Sequence, residues 1–253
     1  MVSPSIFIAM GVTFFLMLLP LPTIFVLLWR KKAFPLNSFF TGTAVFIVFY
    51  LVIRYYIRAA LPAASPVGLL LAALAVEGGR LTGFLILPRK EETGSLKTGI
   101  SLALGYMAAA FLLINAFEMF MNFIYAGALQ GWGMLADYLN RFPAESVDRV
   151  QMLILQTPAY TYFLELISLY LAVPVQLFLT LLVFQFYRNG SGKGWAFLGG
   201  AVLLDFFYFG AGSAAASIGW LGHILFLLIV GGASLWGILH FWKEELDDTF
   251  GAA

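Results

Sequence analysis

The stretch LAALAVEGGRLTGFLIL, Leu71 to Leu87, sets a carboxylate, Glu77, and a guanidinium, Arg80, inside a run otherwise fit for lipid. Each charged side chain costs roughly 2.5–3.5 kcal/mol at the centre of a membrane helix when left alone. The two are three residues apart and therefore share one face of a helix, within reach of each other. Two roles fit them: an ion-pair network that fixes helix registry, or a catalytic or substrate-binding carboxylate. Gly78, Gly79 and Gly83 let a neighbouring backbone approach closely, which favours the packing role.

The whole chain resembles its central stretch. Of 253 residues, 62% are hydrophobic and 11% charged, and the mean hydropathy is +0.93. A soluble domain carries about 25% charged residues, so too little polar surface exists to cover a water-soluble globule. Composition therefore predicts an all-α, polytopic membrane helical bundle forming a single transmembrane domain over residues 1–253. The absence of cysteine excludes disulfides and thiolate metal sites. A net charge of +1 gives no reason to invoke nucleic acid. The opening MVSPSIFIAMG has neither a basic segment nor a small-residue cleavage site, and is read as part of a retained first helix.

A hydrocarbon core about 30 Å thick needs roughly 20 apolar residues of helix. That length predicts about seven spans, at Ser5–Trp29, Asn37–Leu61, Ser65–Leu87, Gly99–Tyr125, Ala159–Tyr187, Gly194–Gly210 and Ile218–Trp242. Breaks are expected at FPLN, LPAASP, PRKEETGS, RNGSGKG and GAGSAAAS. Alternate ends carry Arg30, Lys31, Lys32, Arg89, Lys90, Lys97, Arg188, Lys193 and Lys243, against Arg58, Arg141 and Arg149 opposite. Cytoplasmic loops collect Lys and Arg, which predicts the N-terminus outside and the C-terminal KEELDDTFGAA in the cytoplasm. The long connection, residues 126–158, then falls outside. Within it Trp132, Leu135, Leu139 and Phe142, and after Pro143 Val147, Val150 and Ile154, recur at helical spacing, as in amphipathic helices on a surface or over a cavity.

Ionisable groups fall at seven places in these spans: Arg54, Arg58, Glu77, Arg80, Glu118, Glu165 and Asp205. They are expected to face the bundle interior and to partner one another. Asn115, Glu118 and Asn122 make a polar stripe on the fourth span. Glu77, Arg80 and Asp205 come near mid-membrane by their depth along the helices, and the other four in the outer half. Three cations stand against four acids, so one carboxyl is expected to be protonated or to hold a cation. His223 and His240 lie 17 residues apart, about 25 Å along one helix, and cannot share a metal. No cofactor or metal is predicted.

VEGGRL, GISLALGYMAAAF, VQMLILQTPAYTYFLEL and LGGAVLLDFF, in that order between about Ser65 and Phe207, resemble the YhfC-like family of intramembrane proteases. That family is grouped with the CAAX proteases, of glutamic type, and with the Aph subunit of gamma-secretase. The resemblance implies a core bundle in which a Glu-Glu-x-x-(x)-Arg helix activates water. Aligned on this chain, the paired acids fall on Val76 and Glu77, while Arg80 is kept. A His and a Glu one turn apart become Tyr106 and Ala110. A Glu-Arg pair becomes Glu165 and Leu166, a later His becomes Val173, and a His-to-Asp ending keeps Asp205 but has Ala201. Glu should act as general base and His or Asn should steady the oxyanion, so the resemblance implies a catalytically degenerate member in a bacterial plasma membrane.

Three functions follow. The first is a non-enzymatic scaffold or binding subunit with an intramembrane-protease-like fold, whose partners are the lipid bilayer and another integral membrane protein or transmembrane helix. The analogy to Aph is at the level of fold. The second is a metal-independent intramembrane endopeptidase using Glu77 as general base, with Arg80 orienting it and Tyr106 or Asn115 assisting the oxyanion. The third is a small transporter, compatible with Pro20, Pro22 and Pro174 inside spans, though no repeat relates the two halves of the chain.

Overall fold

The computed structural model describes residues 2–30, 34–57, 60–61, 65–87, 95–131, 137, 144–189 and 192–250. Among the described residues every regular element is a helix. In chain order they are α1 (Pro4–Leu18), α2 (Pro20–Arg30), α3 (Leu36–Val52), α4 (Pro66–Ile86), α5 (Leu96–Ala109), α6 (Phe117–Leu129), α7 (Ala144–Gln156), α8 (Ala159–Asn189), α9 (Gly192–Ile218), α10 (Trp220–Phe241) and α11 (Lys243–Phe250). Short π-helical turns, Ile53–Ile57 and Ala110–Ala116, follow α3 and α5.

Six helical stretches are long and apolar enough to cross a membrane: Pro4–Ile24, Pro66–Ile86, Leu96–Leu129, Ala159–Asn189, Gly194–Ile218 and Trp220–Phe241. The helix at the place of the expected second span, Leu36–Tyr50, is apolar but shorter. The protein is thus a multi-pass membrane protein.

Two helix ends differ from expectation. The first apolar run turns at Leu19, whose N–H bonds back to the Leu16 carbonyl, because Pro20 brings no N–H of its own. The expected break at GAGSAAAS is absent, and α9 runs through it to Ile218. Ala211, Ala214, Ala215 and Ala216 are strong helix formers that carry the two glycines along. The chain breaks instead at Gly219, whose φ of 122° lies where side chains rarely go. The expected amphipathic segment after Pro143 is α7, with Ile154 buried; Trp132, Leu135, Leu139 and Phe142 lie outside the described residues.

The described chain divides into two compact units. The first comprises Met1–Thr23 and Ala110–Leu169. Its core gathers Ile6, Met10, Met17, Met119, Ile154, Tyr162 and Leu166. Phe7 meets Phe123 edge-on, with ring centres 5.6 Å apart. Asn115 spans the π-helical turn by donating from Nδ2 to the Ala110 carbonyl at 2.9 Å.

The second unit comprises Ile24–Ala109 and Tyr170–Ala253. Its helices approach through glycine. A methyl at Gly42 would strike the Leu102 carbonyl, and one at Gly105 the Phe39 carbonyl, so α3 and α5 touch backbone to backbone. The close approach lets Thr43 Oγ1 donate to the Gly105 carbonyl at 3.1 Å, and Ser101 Oγ to the Pro35 carbonyl at 2.8 Å. At the far end Arg188 makes a two-pronged pair with Glu245 of α11, at 2.8 and 3.0 Å.

Candidate functional site

The helix carrying the opening stretch begins on sequence signals. Ser65 Oγ accepts the Gly68 N–H at 3.0 Å, and Pro66 occupies the first turn, where no N–H is needed. From that start Glu77 and Arg80 fall on the inward face of α4, and both side chains are 0% exposed. The bare faces of Gly79 and Gly83 let Phe49, Val45 and Leu102 close in on α4 beside them. Water is excluded on that side by aromatic and aliphatic atoms.

Arg80 is the hub. One terminal nitrogen donates to Glu77 Oε1 on its own helix, and the other donates to Gln176 Oε1 on α8. Its guanidinium carbon sits 4.9 Å from the centre of the Tyr106 ring on α5, a cation–π placement. Tyr106 is itself held edge-on by Phe46, with ring centres 4.7 Å apart. From α9 comes Asp205, also 0% exposed, which interacts electrostatically with both Glu77 and Arg80.

Not every polar atom of this cluster is satisfied. Glu77 Oε2, Arg80 Nε and both Asp205 carboxylate oxygens are buried, and no hydrogen bond from the protein reaches them. Buried polar groups are nearly always paired, so these orphans mark the centre as more than filler.

The other intramembrane residues predicted to matter belong to the first unit or lie beyond description. Asn115, Glu118 and Glu165 belong to the first unit. There Glu118 and Glu165 are exposed and within electrostatic range of each other. Arg54 lies in the π-helical turn after α3 with its side chain undescribed, and Arg58 lies outside the described residues. Gln176 was not singled out from the sequence. The only signal available was an amide two residues after Pro174 in the apolar run LAVPVQLFLT.

Next to the cluster, α8, α9 and α10 line an apolar cavity of about 320 Å³ that opens to the surface. Val175, Phe178, Leu204, Phe207, Phe226 and Ile229 supply most of its wall, and Tyr208 and Ser234 its polar atoms. Val175 and Leu204 are the chain neighbours of Gln176 and Asp205.

Fold and site together define a polytopic helical membrane protein with an acid–arginine centre sealed among its helices. The chain belongs to the YhfC intramembrane metalloprotease family, which it matches over residues 15–208. No curated protein and no solved structure matches it.

A metalloprotease works through a bound metal ion, which needs a converging set of ligands. Catalytic zinc takes three protein ligands, usually His, Glu or Cys. Among the described residues no three His, Cys, Asp or Glu side chains converge. His240 is stacked on Trp236, with ring centres 5.0 Å apart, at the opposite end of α10 from His223. Around Glu77 and Asp205 the remaining place is taken by the guanidinium of Arg80. This donor set does not fit a catalytic metal.

Proposed function

We propose that this chain is a non-catalytic member of its family, a scaffold in a bacterial plasma membrane that holds another transmembrane segment. The observation carrying this reading is the engagement of Glu77. A general base must reach the water it activates, yet this carboxylate is 0% exposed and bound to Arg80. Tyr106, where the family resemblance expects a histidine, lies against the guanidinium instead of offering an acid–base group to substrate.

A docking role is supported by what α9 leaves uncovered. Its membrane window, within Gly194–Ile218, is only 17% buried, less than that of any other spanning helix described. Gly199 and Gly200 on it have open space beside them, the small-residue surface on which membrane helices approach one another. The excess of Lys and Arg at alternate span ends supports a cytoplasmic C-terminus and an outer N-terminus.

The test is site-specific photo-crosslinking in native membranes, followed by purification in mild detergent and mass spectrometry. A photoreactive residue in place of Leu203 on α9 should capture one recurring membrane protein. The same residue at Ala73, which is 0% exposed, should not. A monomer that captures nothing from either position contradicts the scaffold.

A second reading keeps the enzyme, and the orphaned oxygens favour it. Glu77 Oε2 and the Asp205 carboxylate oxygens are buried acceptors that no protein N–H or O–H reaches, the kind of position from which a carboxylate could take a proton. On that reading Glu77 is the general base of a metal-independent endopeptidase and Arg80 its positioning residue. Cleavage of a transmembrane peptide that survives chelators and disappears in Glu77→Gln would establish it.

A further inference from the structure

The charge count of the buried centre does not close. Two carboxylates, Glu77 and Asp205, stand with one guanidinium, and all three side chains are 0% exposed. An uncompensated charge in such a place costs several kcal/mol even after relaxation. Among the described residues, the charged or titratable groups facing the centre are Arg80 and Glu77 on α4, Tyr106 on α5, and Asp205 and Tyr208 on α9. Gln176 on α8 adds a neutral amide. Arg80 is the one cation among these described groups, and its terminal nitrogens are spent on Glu77 and Gln176.

Hydrogen bonding leaves the same gap. The Asp205 oxygens and Glu77 Oε2 receive nothing from any N–H or O–H of the protein, although the two carboxyl groups interact with each other. Facing carboxylates repel. A single proton between them turns that repulsion into an O–H···O⁻ hydrogen bond, among the strongest a protein makes. It also brings the sum of charge to zero. A small metal cation would balance charge too, but would want six or so oxygen ligands. Here three orphaned carboxylate oxygens are on offer, next to a guanidinium that repels it.

We propose that Glu77 and Asp205 hold one proton between them, so that the acid pair and Arg80 form an electrically neutral, proton-loaded centre joining α4 to α9. This goes beyond the scaffold reading and does not depend on a partner helix. The proton can leave only if another cation enters or the helices part, because no other described group in the centre can take up the balance. An ionisable cluster within the membrane span is where proton uptake and release are commonly coupled to helix movement.

Infrared spectroscopy of the full-length protein in lipid nanodiscs at neutral pH tests the assignment. The wild type should show a protonated-carboxyl C=O band, and exchange into D₂O should shift it. Labelling with either [¹³C]aspartate or [¹³C]glutamate must shift the band, a result that requires no variant to fold. Asp205→Asn and Glu77→Gln should each abolish it. Asp205→Asn should also keep the thermal midpoint near wild type, because the Asn amide can donate to Glu77 Oε2 where the proton did. No such band, a band unmoved by both labels, or a band that survives both substitutions would overturn the proposal. So would a saturable rise in thermal midpoint on adding sodium or lithium, which would assign the missing charge to a metal cation. Crosslinking of a partner is read separately, so failure here leaves the scaffold standing.

Discussion

Arg80 donates through one terminal nitrogen to Glu77 on its own helix and through the other to Gln176 on α8. One side chain thereby ties two helices together, while the Tyr106 ring of a third lies against its flat face. Removing it leaves two carboxylates buried with no cation among the described residues around them. Breaking a buried pair by deleting one partner costs about 3–5 kcal/mol, so Arg80→Ala is expected to be the most damaging single change in the centre. Reversible unfolding in lipid–detergent mixtures measures this.

Gln176→Leu removes the acceptor that holds the second terminal nitrogen of Arg80. A buried donor left unsatisfied costs about 1–3 kcal/mol. The loss should be smaller than for Arg80→Ala and should vanish when Arg80 is already replaced, which a paired unfolding experiment reads directly.

Glycines divide into two groups by what surrounds them. Gly105→Ala drives a methyl into the Phe39 carbonyl and Gly42→Ala into that of Leu102. Backbone cannot step aside as a side chain can, and overpacking of this kind typically costs about 1–3 kcal/mol. Gly199→Ala and Gly232→Ala meet nothing within 4 Å and should be neutral, or gain up to about 1 kcal/mol from helix propensity. Thermal midpoints of the four variants should separate into these two pairs.

Arg188→Ala removes both prongs of the pair with Glu245, yet both partners are about one-third exposed. Solvent-exposed ion pairs contribute about 0–1 kcal/mol. Stability should hardly change, while protease cleavage within α11 should speed up, as limited proteolysis would show.

Much of this architecture was legible because its signals are local. Ser65 and Pro66 announce the start of α4, and the three-residue spacing of Glu77 and Arg80 puts them on one face before any coordinates are known. The 17-residue spacing of His223 and His240 likewise puts them at opposite ends of α10. Gln176 was hidden because an amide in an apolar run carries no charge and raises no alarm; only the approach of α8 to α4 gives it a task. The run GAGSAAAS reads as punctuation through its glycines, but its alanines prevail and the turn waits for Gly219. Depth along the helices put Glu77, Arg80 and Asp205 at a similar level, whereas which α9 side chain meets which α4 side chain depends on helix rotation, a property of the whole second unit.

The central claim is that Glu77 and Arg80 act as one buried, mutually stabilising pair, with Glu77 no longer a free base, and a double-mutant cycle on unfolding free energy tests it most directly. Glu77→Gln, Arg80→Gln and the double variant are compared with wild type in one lipid mixture. A coupling of about 1–3 kcal/mol, as contacting residues in one network show, is the predicted result. Additive effects with no coupling would contradict the account.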